Sequence, residues 1–212
     1  MSVPSVSTTT TTEAELDVRP LRKPEKHPAI FARYAALAVG ASFVLINDHD
    51  PRHLREEFET ELAGSYGWEY LNRKPRDWRI RISKVFSTAL PRVLVNSAEV
   101  VQQSPDSGAR EVVWKLTMRE RDLDSNIVSL PPGGGIDAYA GPDLDVLIHV
   151  LSGSGQLTTE AGSLDLQPGA VLWLPRRSRR QFGAGEQGLR YLTVHQRRQA
   201  LVLDTSRARQ GG

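Results

Sequence analysis

Near residue 111 the chain changes its hydrophobic period, and this change constrains the fold more than any other feature. Before it, helical and strand spacings alternate. After it, from Glu111 to Arg198, apolar residues fall in short runs with closely spaced turns. The runs are Val113–Thr117, Asn126–Leu130, Leu144–Leu151, Gln156–Thr159, Ser163–Leu166, Val171–Leu174 and Leu189–Gln196. Gly133-Gly134-Gly135, Gly153-Ser154-Gly155 and Pro168-Gly169 read as turns, and no helical stretch exceeds a turn or two. This pattern predicts an all-β barrel or jelly roll over residues 111–199.

The first folded stretch, residues 14–83, reads as β-α-β-α-β-β. Glu15–Val18 is a short strand, and His27–Ala38 carries Ile30, Phe31, Tyr34 and Leu37 at helical spacing. Ser42–Asn47 is a compact apolar run, expected to be a buried central strand. Asp50-Pro51 predicts a helix start with Asp50 as N-cap and Pro51 at the first helical position. Leu54, Phe58 and Leu62 follow on one face, and Gly64 stops the helix. Trp68–Asn72 and Trp78–Ser83 are two more strands around a polar turn. The overall class is therefore α+β: a small sandwich, then a barrel. Residues 84–110, with Pro91 and Ser104-Pro105-Asp106-Ser107-Gly108, read as a linker. Residues 1–13 are expected to be a disordered tail, and 200–212 a flexible basic one.

Composition removes several functions. The 212 residues include no Cys, which excludes disulfides, thiolate zinc sites, iron–sulfur clusters and catalytic thiols. Any metal must be held by His, Asp, Glu or Tyr. The net charge is only +2, but residues 176–212 hold nine Lys and Arg against two Asp and Glu. A basic end on a mildly acidic body suggests an anion ligand, against the plainer reading of a solvated surface. The uncharged stretch Tyr34–Ile46 is 13 residues, interrupted by Gly40 and Ser42, whereas a membrane span needs roughly 20. Residues 2–12 lack the basic start and apolar core of a secretory signal. The expected compartment is the cytoplasm.

Leu147-Ile148-His149-Val150-Leu151-Ser152-Gly153-Ser154-Gly155, followed by Leu164–Pro175 with its Pro168-Gly169 turn, resembles the cupin superfamily (the RmlC-like jelly roll, or double-stranded β-helix) over about Asn126–Gln196. Metal-dependent cupins carry His-x-His, a Glu and a later His facing the barrel interior. The resemblance places those positions at Tyr139, Gly141, Val146 and Arg180, none of them a good ligand, so a cupin metal is not expected. A slip of one residue offers Asp145, or Asp137 with Tyr139. His149 is expected to face outward by strand alternation. Tyr139, Arg180, Tyr191 and His195 would form a polar, anion-binding pocket if their strand faces point inward. Arg176, Arg177 and Arg179 read either as a clamp for carboxylate or phosphate or as a solvated loop. Nucleic acid is not expected, because no aromatic platform interleaves the basic cluster. The resemblance also implies a homodimer through the barrel.

Leu16-Asp17-Val18-Arg19-Pro20-Leu21-Arg22-Lys23-Pro24-Glu25 resembles the TusA/SirA sulfur carriers. Leu16–Ile82 as a whole resembles the related domain of unknown function 2249, through His27-Pro28, Asn47-Asp48-His49-Asp50-Pro51, Trp68-Glu69-Tyr70 and Trp78. The carrier's nucleophilic Cys position is Lys23 here, so sulfur relay is excluded. Parallel first and second strands would bring His27, Asp48, His49, Asp50 and His53 to one sheet edge. His27, His49, Asp50 and His53 then read as a divalent-metal or haem-iron site, or else as caps and turn residues with local partners.

The expected function is a binding or regulatory protein whose barrel takes a small anionic molecule. The alternatives are a cupin-type metal-dependent oxygenase or isomerase, a metal-free cupin with Tyr139 and His195 as acid and base, and a redox or nitric-oxide accessory protein acting through the first domain.

Overall fold

The computed structural model describes residues 13–103 and 108–197. The expected terminal tails, and the turn at 104–107, lie outside the described residues apart from Glu13. The chain divides into two compact units, Met1–Arg92 and Val93–Gly212.

The first unit runs β1 (Glu15–Asp17), α1 (Lys23–Ala35), β2 (Ser42–Asn47), α2 (Arg52–Leu62), β3 (Tyr66–Lys74) and β4 (Asp77–Lys84). Its sheet order is β1-β2-β4-β3, with β1 parallel to β2 and the other pairs antiparallel. Phe43 and Leu45 of β2 pair with Ile82 and Ile80 of β4, and these four join Ile30, Tyr34, Leu54 and Phe58 in one apolar core. Fully buried Phe58 stacks on Phe31 at 4.6 Å and meets Tyr34, Tyr66 and Trp68 edge-on. On the opposite face, Val44 and Ile46 are also buried; their cross-strand neighbours are Arg81 and Arg79. The aliphatic stems of these arginines cover apolar surface while their heads pair with Glu13, Glu69, Glu15 and Asp77.

Two helix starts differ from expectation. Helix α1 begins at Lys23, not His27, because Pro24 suits a first turn and Glu25 accepts the Arg22 N–H at 3.2 Å. It ends at Ala35 rather than Ala38. Asp50 is not the cap of α2: Pro51 takes that position, and the Asp50 carboxylate turns to Arg52 and Tyr70.

The second unit runs α3 (Ser97–Gln103), β5 (Glu111–Lys115), β6 (Leu123–Leu130), β7 (Gly135–Ala140), β8 (Val146–Thr159), β9 (Gly162–Leu166), β10 (Val171–Leu174) and β11 (Arg179–Gln196). Helix α3 lies inside the expected linker. Strand β7 was not anticipated, since Ile136-Asp137-Ala138-Tyr139-Ala140 lacks a strong alternating pattern. The largest difference is Gly153-Ser154-Gly155, which is no turn: β8 runs straight through it. A Cβ on Gly153 would stand 2.1 Å from the Gly188 carbonyl oxygen, and one on Gly155 2.3 Å from that of Gly183. The glycines permit close passage of β11, whose register shifts between Ala184 and Leu189.

Strands β8 and β11 therefore serve two sheets. Their Val146–Gly153 and Leu189–His195 segments form one sheet, in the order β10-β8-β11-β6-β5. Their Gly155–Thr158 and Gln181–Ala184 segments continue into the other, flanked by β9 and β7. Between the sheets lie Val128, Leu130, Val146, Ile148, Val150, Leu157, Leu166, Leu174, Phe182 and Tyr191. This is the jelly-roll sandwich that the strand pattern predicts. Among the described residues no helix is long and apolar enough to cross a membrane.

Candidate functional site

Arg180 is the one charged side chain classed as buried among the described residues, at 2% exposure. Strand β11 delivers it: Phe182, two residues on, points into the core and stacks on Tyr191 at 5.4 Å, so period 2 turns Arg180 inward too. Its Nε donates to the Ser178 carbonyl at 3.3 Å, and Nη2 donates to the Pro175 carbonyl at 3.1 Å. Tyr139, directly opposite on β7, places its ring 5.9 Å from the guanidinium carbon. No carboxylate among the described residues pairs with Arg180. Burial accordingly lowers its pKa, and the electrostatic interaction with Tyr139 opposes that shift.

Gly141 makes this placement feasible. A Cβ there would stand 1.8 Å from Arg180 Nη2. The guanidinium thus fills the space that any side chain at 141 would need. Three of the four positions that the resemblance assigns to a cupin metal, Tyr139, Gly141 and Arg180, therefore meet around a permanent cation. That donor set does not fit a metal ion, since one position has no side chain and another carries a positive charge into the same space.

The other residues expected in this pocket divide. Tyr191 is buried against Phe182, and burial drives its phenol well above the usual range. His195 lies directly opposite Val146, and Thr193 opposite Ile148, so that row faces inward. His195 is only partly covered, at the far end of β11, where its Nδ1 lies 2.9 Å from the Gln196 carbonyl. His149 alternates with buried Ile148 and Val150, in the outward phase. The clamp does not assemble as expected. Arg177 pairs with Asp143 at 2.7 Å and Arg176 lies beside Asp145, both on the surface. Asp143 and Asp145, in the loop between β7 and β8, hold these two on the surface, whereas Arg179 and Arg180 line a common cavity of 440 Å³.

In the first unit, the predicted edge cluster does share a cavity, of 590 Å³, lined among others by Lys23, His27, Asp48, His49, Asp50 and His53. Each histidine lies beside a different carboxylate, however. His27 Nδ1 lies 3.1 Å from Glu57, His49 Nδ1 2.6 Å from Asp48, and His53 Nδ1 3.2 Å from Glu56. Hydrogen bonding to His49 holds the Asp48 carboxyl below its usual range. At Asp50, burial pushes the pKa up, but bonds from Arg52 and Tyr70 outweigh it and the net shift is down. Among the described residues no group of three His, Asp or Glu is placed to hold a metal ion. The expected set of His27, His49, Asp50 and His53 therefore shares a cavity without converging on one point. Glu57, one turn before Glu61 on α2, was not read as a partner for His27; its helical spacing from His53 was the available signal.

Residues 15–84 match the model of a family described as "Uncharacterized conserved protein (DUF2249)". No curated protein matches the chain. Solved structures similar to it include a cupin superfamily protein from Desulfitobacterium hafniense, 18% identical over 50% of this chain and 94% of that one, with a TM-score of 0.42. A cupin-2 domain containing protein from Shewanella frigidimarina is 15% identical over 49% and 95%, with a TM-score of 0.39. KdgF from a Halomonas species is 19% identical over 42% and 80%, with a TM-score of 0.36. The chain thus joins a domain matching the uncharacterized DUF2249 family, at residues 15–84, to a C-terminal β-sandwich.

Proposed function

We propose that the barrel unit is a binding module for a small anion, held by Arg180 without a metal. The observation that carries this reading is the buried guanidinium with no carboxylate partner among the described residues. A buried charge is costly unless it is paired, so a site that keeps one is suited to receive the opposite charge from outside. Gly141 supports the reading, because a bare α-carbon is what the inward rotamer requires. The cavity beside Arg180 supplies the space. The first unit serves as an accessory domain: it has the sulfur-carrier pattern, with Lys23 at the nucleophile position and no Cys in the chain.

Thermal unfolding of the full chain tests this. Acetate, benzoate and inorganic phosphate are each added to the native protein and to Arg180→Gln. At least one should raise the native midpoint and leave the variant unmoved. Equal responses from both proteins to all three anions would sink the proposal.

A further inference from the structure

Resting on that reading, we infer that the anion is a monocarboxylic acid with an extended apolar body, lying in the cleft between strands β9 and β10 with its carboxylate on Arg180. Each of these strands is an edge of its sheet: among the described residues β9 pairs only with β8, and β10 only with the other half of β8. The gap between them opens the 440 Å³ cavity, within the roughly 300–1,000 Å³ of pockets that hold small molecules.

A gradient of exposure orients the cleft. Leu157, Leu174 and Arg180 form its buried floor, while Leu164 at 51% and Trp173 at 64% exposure form its rim, with Leu172 between. An entering molecule passes apolar walls before it reaches the cation. Two of the five guanidinium N–H groups are taken by the Ser178 and Pro175 carbonyls, and the planar fork suits a carboxylate.

Charge sets the valence of the ligand. The floor offers one cation. The other ionisable groups along the cleft are Arg179, which is exposed, and Glu160, in the turn after β8. These two offset each other near solvent, so a second negative group on the ligand would gain no net attraction there. It would also lose hydration against leucine walls. Phosphate, which is compact and doubly charged, would use the floor and leave the apolar walls empty.

The test is calorimetric titration of the full chain in the presence of EDTA, with octanoate, acetate, octan-1-ol, octanedioate and inorganic phosphate as probes. Octanoate should bind, and octan-1-ol and octanedioate should bind at least tenfold more weakly. Arg180→Gln should weaken octanoate at least tenfold, and Arg180→Lys, which keeps the charge but loses the fork, by less. Leu172→Asn should weaken octanoate and leave acetate unchanged. Circular dichroism of each variant checks folding, and Arg180→Lys keeps the test decisive should Arg180→Gln fail to fold. If phosphate or octanedioate binds in an Arg180-dependent way more tightly than octanoate, the ligand class is wrong and the anion site stands. If octanoate does not bind the native chain, the inference falls. If no probe depends on residue 180, the anion site falls with it.

Discussion

The two units treat charge in opposite ways. On the outer face of the first unit's sheet, Arg79 lies between Glu15 and Asp77, and Arg81 between Glu13 and Glu69. Each arginine there is partly exposed, and its charge is answered from within the chain. In the barrel, exposed Arg177 is answered in the same way by Asp143. Arg180 is not: it is the one buried charge among the described residues, and its nearest partners are two carbonyls and a phenol ring. Charges paired at a surface contribute little to stability and mark a scaffold. A buried charge without its counterpart marks a place where stability has been given up for binding.

Four measurements break or sharpen that comparison. The largest effect is expected in the apolar core of the first unit. Phe58→Ala should cost about 3–5 kcal/mol, read by urea unfolding, because five aromatic rings meet there and the charges outside do not hold the fold. A loss below about 1 kcal/mol would show the ion pairs to be the stronger element. Next, Gly141→Ala should destabilise the barrel by about 1–3 kcal/mol, as the guanidinium is driven from its position. An unchanged midpoint would mean that Arg180 moves freely. Third, Arg180→Met should leave the ligand-free protein as stable as before, or raise its stability by about 1 kcal/mol, since it removes a buried unpaired charge. Arg81→Met, which breaks two pairs, should shift the midpoint downward, by less than Phe58→Ala or Gly141→Ala does. A marked loss in Arg180→Met with no change in Arg81→Met would invert the comparison. Last, acid should act on the first unit. Asp48 and Asp50 have folded-state pKa values held below their ordinary ones. Their contribution is present above the unfolded value of about 3.9 and is lost as pH falls through the folded values. Tryptophan fluorescence of Trp68 and Trp78 between pH 5 and pH 2 would register the loss, and 1 M salt should shrink it.

Where one period governs a segment, its structure was legible in the sequence. Strand β2 matches Ser42–Asn47 to the residue, because a run buried on both faces has no competing reading. The helices were legible from Ile30, Tyr34, Leu54 and Phe58, but not their first turns, where capping contacts such as Arg22–Glu25 decide. Glycine was the main source of error in the barrel. Gly153 and Gly155 read as a turn because the sequence shows conformational freedom and hides the close approach of Gly188 and Gly183, 35 and 28 residues away. The site was legible in part. Arg180 and Tyr139 were placed together by the family pattern, whereas Gly141 was read as a missing ligand when its role is steric. The edge cluster of His27, Asp48, His49 and Asp50 follows from β-α-β topology. The pairing of each histidine with a separate acid depends on side-chain directions that spacing does not carry.

The continuous course of β8 and β11 through both sheets also bears on how the barrel forms. Their ladder joins residues as distant in sequence as Val146 and His195. No local hairpin can nucleate either sheet completely, because each sheet needs half of both strands. The loop between them must close before most of the interior can pack, and contacts of such separation slow folding. The barrel should therefore fold later than the first unit, whose β3–β4 hairpin closes over the two residues Pro75 and Arg76. In a chain made from its N-terminus, the domain with internally answered charges is complete before the cavity around Arg180 exists.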